Sequence, residues 1–212
     1  MEFVDFRVIE TSVEIISPKL EIVDFRAEKY PRSMLLNFRN QPSTVVWAEA
    51  DAKKEVDGKD RNELEPANNL VIWTIPPSPD VLLGVLKTVN PRIVTLVCAH
   101  PKLDCADPFV ERLIGLLKYA ITYREGKVTY AALAAATAQR QITVEQGLNW
   151  LVSRGKITLM HQEGNLLWVG AGKTINDLGG AARIWIEVQA LLSETLAYRA
   201  HFKRTDKDSL LT

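Results

Sequence analysis

The 212-residue sequence predicts an α+β protein in three parts, on three observations. Runs of β-forming residues around a single short helix pattern occupy the chain to about residue 107. Three helix patterns and then a hairpin pattern fill 108–172, and one long amphipathic pattern closes the chain over 173–212. The first part is expected to be a Rossmann-like α/β domain, the second a winged-helix domain, and the third a C-terminal helix packing on both.

Composition sets the outer bounds. With 47 % hydrophobic and 25 % charged residues the chain reads as an ordinary globular protein, and its length slightly favours two cores over one. The opening "MEFVDFRVIE" is acidic and lacks a long apolar run, so no secretory leader is expected, and no stretch approaches a membrane span. Two cysteines, Cys98 and Cys105, make no disulfide framework, and the cytoplasm is the expected location. Net charge is zero, but 13 basic face 17 acidic residues over 1–107 and 13 face 9 over 108–212. That modest basic excess suits weak phosphate contacts and falls short of a DNA-binding patch.

The elements follow in order. "EFVDFRVIE" (2–10) and "EIVDFR" (21–26) alternate apolar and charged residues as two half-buried strands, and "STVVWAEA" (43–50) is a third. "DAKKEVDGKDRNELEPANN" (51–69) carries 10 charges in 19 residues and predicts a mobile, solvated loop with at most one helical turn. "NLVIWTI" is a strand, after which Ser78 is placed to cap a helix, Pro79 to open it and Asp80 to favour its dipole. Val81, Leu82, Val85, Leu86 and Val89 fall at helical spacing, Asn90-Pro91 ends the helix, and "RIVTLVC" is a buried strand. The unit predicts a parallel βαβ.

In the second part Phe109, Leu113, Leu116, Ala120 and Tyr123 share one helix face. A short helix is expected from Thr129 through "YAALAAAT", and "TVEQ" predicts another, with Thr143 and Gln146 as its capping box and Val144, Leu148, Leu151 and Val152 facing inward. "GKITLMHQEGNLLWVGAG" reads as a hairpin turning at 163–165. In the last part Ile184, Val188, Leu191, Thr195, Tyr198 and Phe202 form a heptad-like seam, expected to dock on its own chain and alternatively to make a homodimer.

Function is sought where chemistry could sit. The turn "PPSPD" cannot wrap a phosphate, because Pro76, Pro77 and Pro79 remove three N–H donors and Asp80 adds a repelling charge. Cys98, His100, Asp104 and Cys105 carry atoms that zinc accepts, but no second C-x-x-C pair completes a site, so neither metal nor cofactor is expected. No nucleophile motif is present and no catalytic residue is assigned. The winged helix is the best candidate: Gln146, Asn149 and Arg154 on its second short helix, Arg140, Lys156 and Lys173 on flanking segments, and His161 near the wing would meet DNA or a protein. Glu145 on the same helix would oppose a phosphate.

"EIVDFR", "VIWTIPPSPDVLLGVLKTVNPRIVTLV", the 109–157 segment and "LLSETLAYRAHFKR" together resemble the C-terminal region of RecJ-type single-stranded-DNA-specific exonucleases, especially a cyanobacteria-like form. The resemblance covers most of 20–205. RecJ catalysis uses Asp and His metal ligands of an Asp-His-His core, whereas His100, His161 and His201 here lie in no such motif. The resemblance therefore implies a non-catalytic accessory region that assists DNA or protein contacts, such as those of a nuclease core, in DNA repair and recombination. The alternative expectation is a dimeric winged-helix regulator with a ligand-sensing α/β domain.

Overall fold

The chain mixes α and β as the sequence predicts. A computed structural model describes residues 20–39, 41–172 and 178–210; the strand expected over 2–10 lies outside them. Four strands, β1 (Glu21–Asp24), β2 (Thr44–Trp47), β3 (Asn69–Thr74) and β4 (Ile93–Ala99), form an all-parallel sheet in the order β1-β4-β3-β2. Between them run α1 (Leu35–Arg39), α2 (Ala52–Glu55) and α3 (Pro79–Val89). Leu70, Ile72, Val94 and Leu96 face α3, while Val71, Trp73 and Val97 face α1 and α2. Covering both faces leaves β3 and β4 no solvent side, which is why they read as continuous apolar runs.

Helix α3 forms as its punctuation predicts. Ser78 Oγ accepts the Val81 N–H at 3.4 Å, Pro79 occupies the first position, and Asn90 ends the helix in the left-handed conformation with its N–H on the Leu86 carbonyl. The charged 51–69 segment departs from expectation. It contributes the single turn α2, then Lys59 pairs beside β2 through 2.9 Å bonds to Val46 and Ala48, and Arg61 grips the buried Glu49 carboxylate. Charge density mistook paired ions for solvated ones.

The second half contains α4 (Ala106–Tyr123), β5 (Lys127–Thr129), α5 (Tyr130–Thr137), α6 (Gln141–Ser153), β6 (Ile157–Glu163) and β7 (Leu166–Ala171). The three strands make an antiparallel sheet in the order β5-β7-β6, and the three-residue β5 was too short to show as periodicity. Phe109, Leu113, Leu117, Leu133, Val144, Leu148 and Leu151 form the core with Leu167 and Val169. Tyr123, expected inward, is 73 % exposed, because the buried stripe of α4 runs through Leu117 and stops at Ala120.

The capping box at Thr143 does not form. Ala138 turns left-handed and Gln139 N–H returns to the Ala134 carbonyl, so the chain enters α6 at once, with Arg140 at the cap and Thr143 buried inside the first turn.

The last helix, α7 (Leu178–Arg204), joins the two halves. Its Val188 and Leu192 enter the second core, and its Tyr198 and Phe202 the first. Its seam is thus committed within the chain. Among the described residues no helix is long and apolar enough to cross a membrane.

Candidate functional site

Helices α2 and α3 leave the neighbouring strands β2 and β3 toward opposite faces, so a crevice opens between their carboxyl ends. In open α/β sheets such a crevice is where ligands bind. Here the chain fills it. Ala50 N–H donates to the Ala135 carbonyl at the end of α5, and the fully buried Arg199 of α7 reaches in from above.

The "PPSPD" turn explains how an arginine can be buried there. Its prolines remove N–H donors and leave carbonyls facing inward. Arg199 Nε donates to the carbonyls of Ile75 at 3.2 Å and Pro76 at 3.4 Å, and its other nitrogens donate to the Asp104 carboxylate and the Ala138 carbonyl. The carbonyls at the start of the turn hold a cation.

Asp104 is buried as well and receives Gln139 Nε2 at 2.7 Å, while His100 Nε2 lies 3.2 Å from its second oxygen, off the axis of a hydrogen bond. Burial pushes the Asp104 carboxyl up, but His100, the Arg199 charge and the Gln139 amide outweigh it and hold the group below its ordinary 3.8. The joint therefore contributes its full stability above that unfolded-chain value and loses it as pH falls through the lower folded value. We expect the urea midpoint of the protein to fall more steeply below about pH 4 than that of Asp104→Asn. Parallel pH profiles for the two proteins would contradict this.

A second arginine ties the same helix. Arg26, at the end of the "EIVDFR" strand, is held by Asp24 and donates to the carbonyls of Phe202 at 2.6 Å and Thr205 at 2.9 Å, satisfying acceptors at the C-terminus of α7.

The residues expected to meet a partner separate into groups. Arg140 is not free: it donates to the Leu191 carbonyl and pairs with Glu194 at 2.7 Å, fastening α6 to α7. Gln146 and Asn149 share the outer side of α6 with Glu145 and bond weakly to each other at 3.5 Å. Among the described residues the outer face of α6 carries no Lys or Arg, so it offers little to hold a phosphate. Arg154 and Lys156 are exposed at the corner between α6 and β6, where Lys118 of α4 lines the same groove as Lys156. His161 is exposed on β6 with its ring 5.0 Å from that of Trp168. Lys173 lies outside the described residues.

No family model, curated protein or solved structure matches the chain. Among the described residues no three His, Cys, Asp or Glu side chains converge to hold a metal. Cys98 is a buried thiol whose titration burial pushes far up, Cys105 is exposed ahead of α4, and His100 and Asp104 belong to the Arg199 joint.

Sequence reasoning missed Arg199, Arg26 and Gln139. A signal existed for Arg199, which falls one residue after Tyr198 of the apolar seam, where a solvent-facing position was expected. Thr195, Arg199 and Phe202 are all buried at helical spacing, so the inner face of α7 includes the arginine.

Proposed function

We propose that the chain is a non-catalytic accessory region of RecJ C-terminal type, in which a winged helix is fixed rigidly to an α/β scaffold and touches single-stranded DNA for a nuclease core. The observation that carries this reading is where the resembling segments meet. "EIVDFR" supplies Arg26, the "TIPPSP" turn supplies two carbonyls, the segment between supplies Ala138, and "LAYRAHFKR" supplies Arg199 and the helix end that Arg26 holds. The residues that carry the resemblance do assembly work at two ties on α7, one at Arg199 and one at its C-terminus. The order α4-β5-α5-α6-β6-β7 with the sheet order β5-β7-β6 supports the winged-helix assignment.

DNA contact is assigned to the corner of Lys118, Arg154 and Lys156 in place of the outer face of α6. These cations form no ion pair among the described residues and suit phosphates without reading bases. Fluorescence anisotropy with labelled single-stranded and duplex DNA across a salt series tests this. Lys118→Ala/Arg154→Ala/Lys156→Ala is expected to lower affinity and reduce the single-strand salt slope by about 2, at about 0.7 per phosphate contact. Absence of binding at low salt would reject the DNA contact.

A second reading, protein contact, is favoured by β6. Leu159 and Met160 are 40 % and 60 % exposed on this edge strand, where a bulge between Leu159 and His161 interrupts the pairing with β7. The dimeric regulator would need another dimer surface, because the seam of α7 is buried within the chain.

A further inference from the structure

The α1/α2 face of the sheet holds an open cleft of about 660 Å³ at the carboxyl ends of β2, β3 and β4. It lies beside the Arg199 joint and is left unfilled by it. Its size is that of a small-molecule site, and its place is where parallel sheets hold ligands.

The backbone around it is bent at a cost. Cys98, Ala50 and Lys102 all take positive φ, at 60°, 52° and 60°, without being glycine. Cys98 lies in the bulge through which β4 advances three residues while β3 advances two, from Ile72–Leu96 to Thr74–Ala99. The bulge re-aims the chain after β4, so that Ala99, His100 and Lys102 turn into the cleft. Lys102 N–H donates to His100 Nδ1 at 2.9 Å, pinning this loop.

The charges do not cancel. Of the two acids lining the cleft, Asp51 pairs with Arg112 at 2.9 Å and Glu55 pairs with Arg32. Lys29 and Lys102 have no ion pair among the described residues; Lys29 Nζ lies only 5.4 Å from the Tyr30 ring centre. Two unmatched positive charges on the loops that follow the neighbouring strands β1 and β4 suit a dianion, and a phosphomonoester carries about that charge at neutral pH. Tyr30 is 65 % exposed on the rim, with Lys29 over its ring, so a base stacked on Tyr30 would sit beside the cation that holds its phosphate, and the buried Trp73 closes the floor.

We propose that this cleft binds a nucleoside monophosphate, its phosphate between Lys29 and Lys102 and its base on Tyr30. The site stands independently of the DNA contact assigned to the α6–β6 corner.

The test is an amide NMR titration of the full chain with AMP, adenosine and inorganic phosphate. AMP is expected to shift amides of Ala50–Ala52 and Ala99–Leu103 in a saturable way. Lys29→Ala/Lys102→Ala is expected to weaken AMP by about tenfold or more, with an unchanged urea midpoint, and Tyr30→Ala to weaken it where Tyr30→Phe does not. Adenosine and phosphate should each bind at least about tenfold more weakly than AMP. The proposal is overturned if AMP up to about 5 mM shifts none of these amides, if the lysine variant binds equally well, or if phosphate alone matches AMP. Lys118→Ala/Arg154→Ala/Lys156→Ala should bind AMP normally, which separates failure here from failure of the DNA contact.

Discussion

Replacing Arg199 by methionine is expected to lower the unfolding free energy by about 3–5 kcal/mol, the cost of breaking a buried ion pair by removing one partner. Methionine keeps much of the side-chain volume, so the loss reports the charge and its hydrogen bonds more than a cavity. Four acceptors lose Arg199 together: the carbonyls of Ile75, Pro76 and Ala138, and Asp104, which keeps only the Gln139 amide. These come from the turn after β3, the 100–105 loop, the end of α5 and, through Arg199 itself, α7, so the damage should spread across both halves. Urea unfolding measures it. Adding Asp104→Leu to the variant should return part of the loss, since the stranded carboxylate is then gone, and strictly additive effects would show that the two side chains do not act as a pair. A loss below about 1 kcal/mol would mean that Arg199 escapes to solvent and that the joint is far weaker than its geometry implies.

The same joint shows what the sequence could and could not disclose. Local signals were legible because their physics is local: Ser78 and Pro79 open α3 and Asn90 closes it. The parallel pairing of β3 with β4 followed from the same stretch. Strand order did not, because β1 lies beside β4 through contacts some seventy residues apart in sequence. Nor did the use of each cation. Arg140 and Arg154 both flank α6 in the sequence, yet α7 takes Arg140 and leaves Arg154 exposed. The prolines of the turn show in the sequence as missing donors, but the carbonyls at its start acquire meaning only when Arg199 arrives from more than a hundred residues away.

Gly126→Ala is expected to cost about 3 kcal/mol or more, and comparison with Gly164→Ala separates the two reasons. Both glycines have positive φ, +76° and +55°, so alanine at either is strained by about 1–2 kcal/mol. At Gly164, in the turn between β6 and β7, an added Cβ would meet nothing within 4 Å, and strain is the whole cost. At Gly126 it would lie 2.1 Å from the Val169 carbonyl oxygen, a backbone atom of β7 with no flexible end to yield. Gly126 also bonds on both sides, its N–H to the Ala120 carbonyl and its own carbonyl to the Val169 N–H, each at 2.9 Å. Backing away from the clash therefore breaks the contact that sets β5 against β7 and anchors the hairpin to α4. Urea unfolding of both variants, with hydrogen exchange at the Val169 amide, gives the comparison. Equal losses at the two positions would show that β7 does not press on Gly126, and the rigid mounting of the hairpin on α4 would lose its basis.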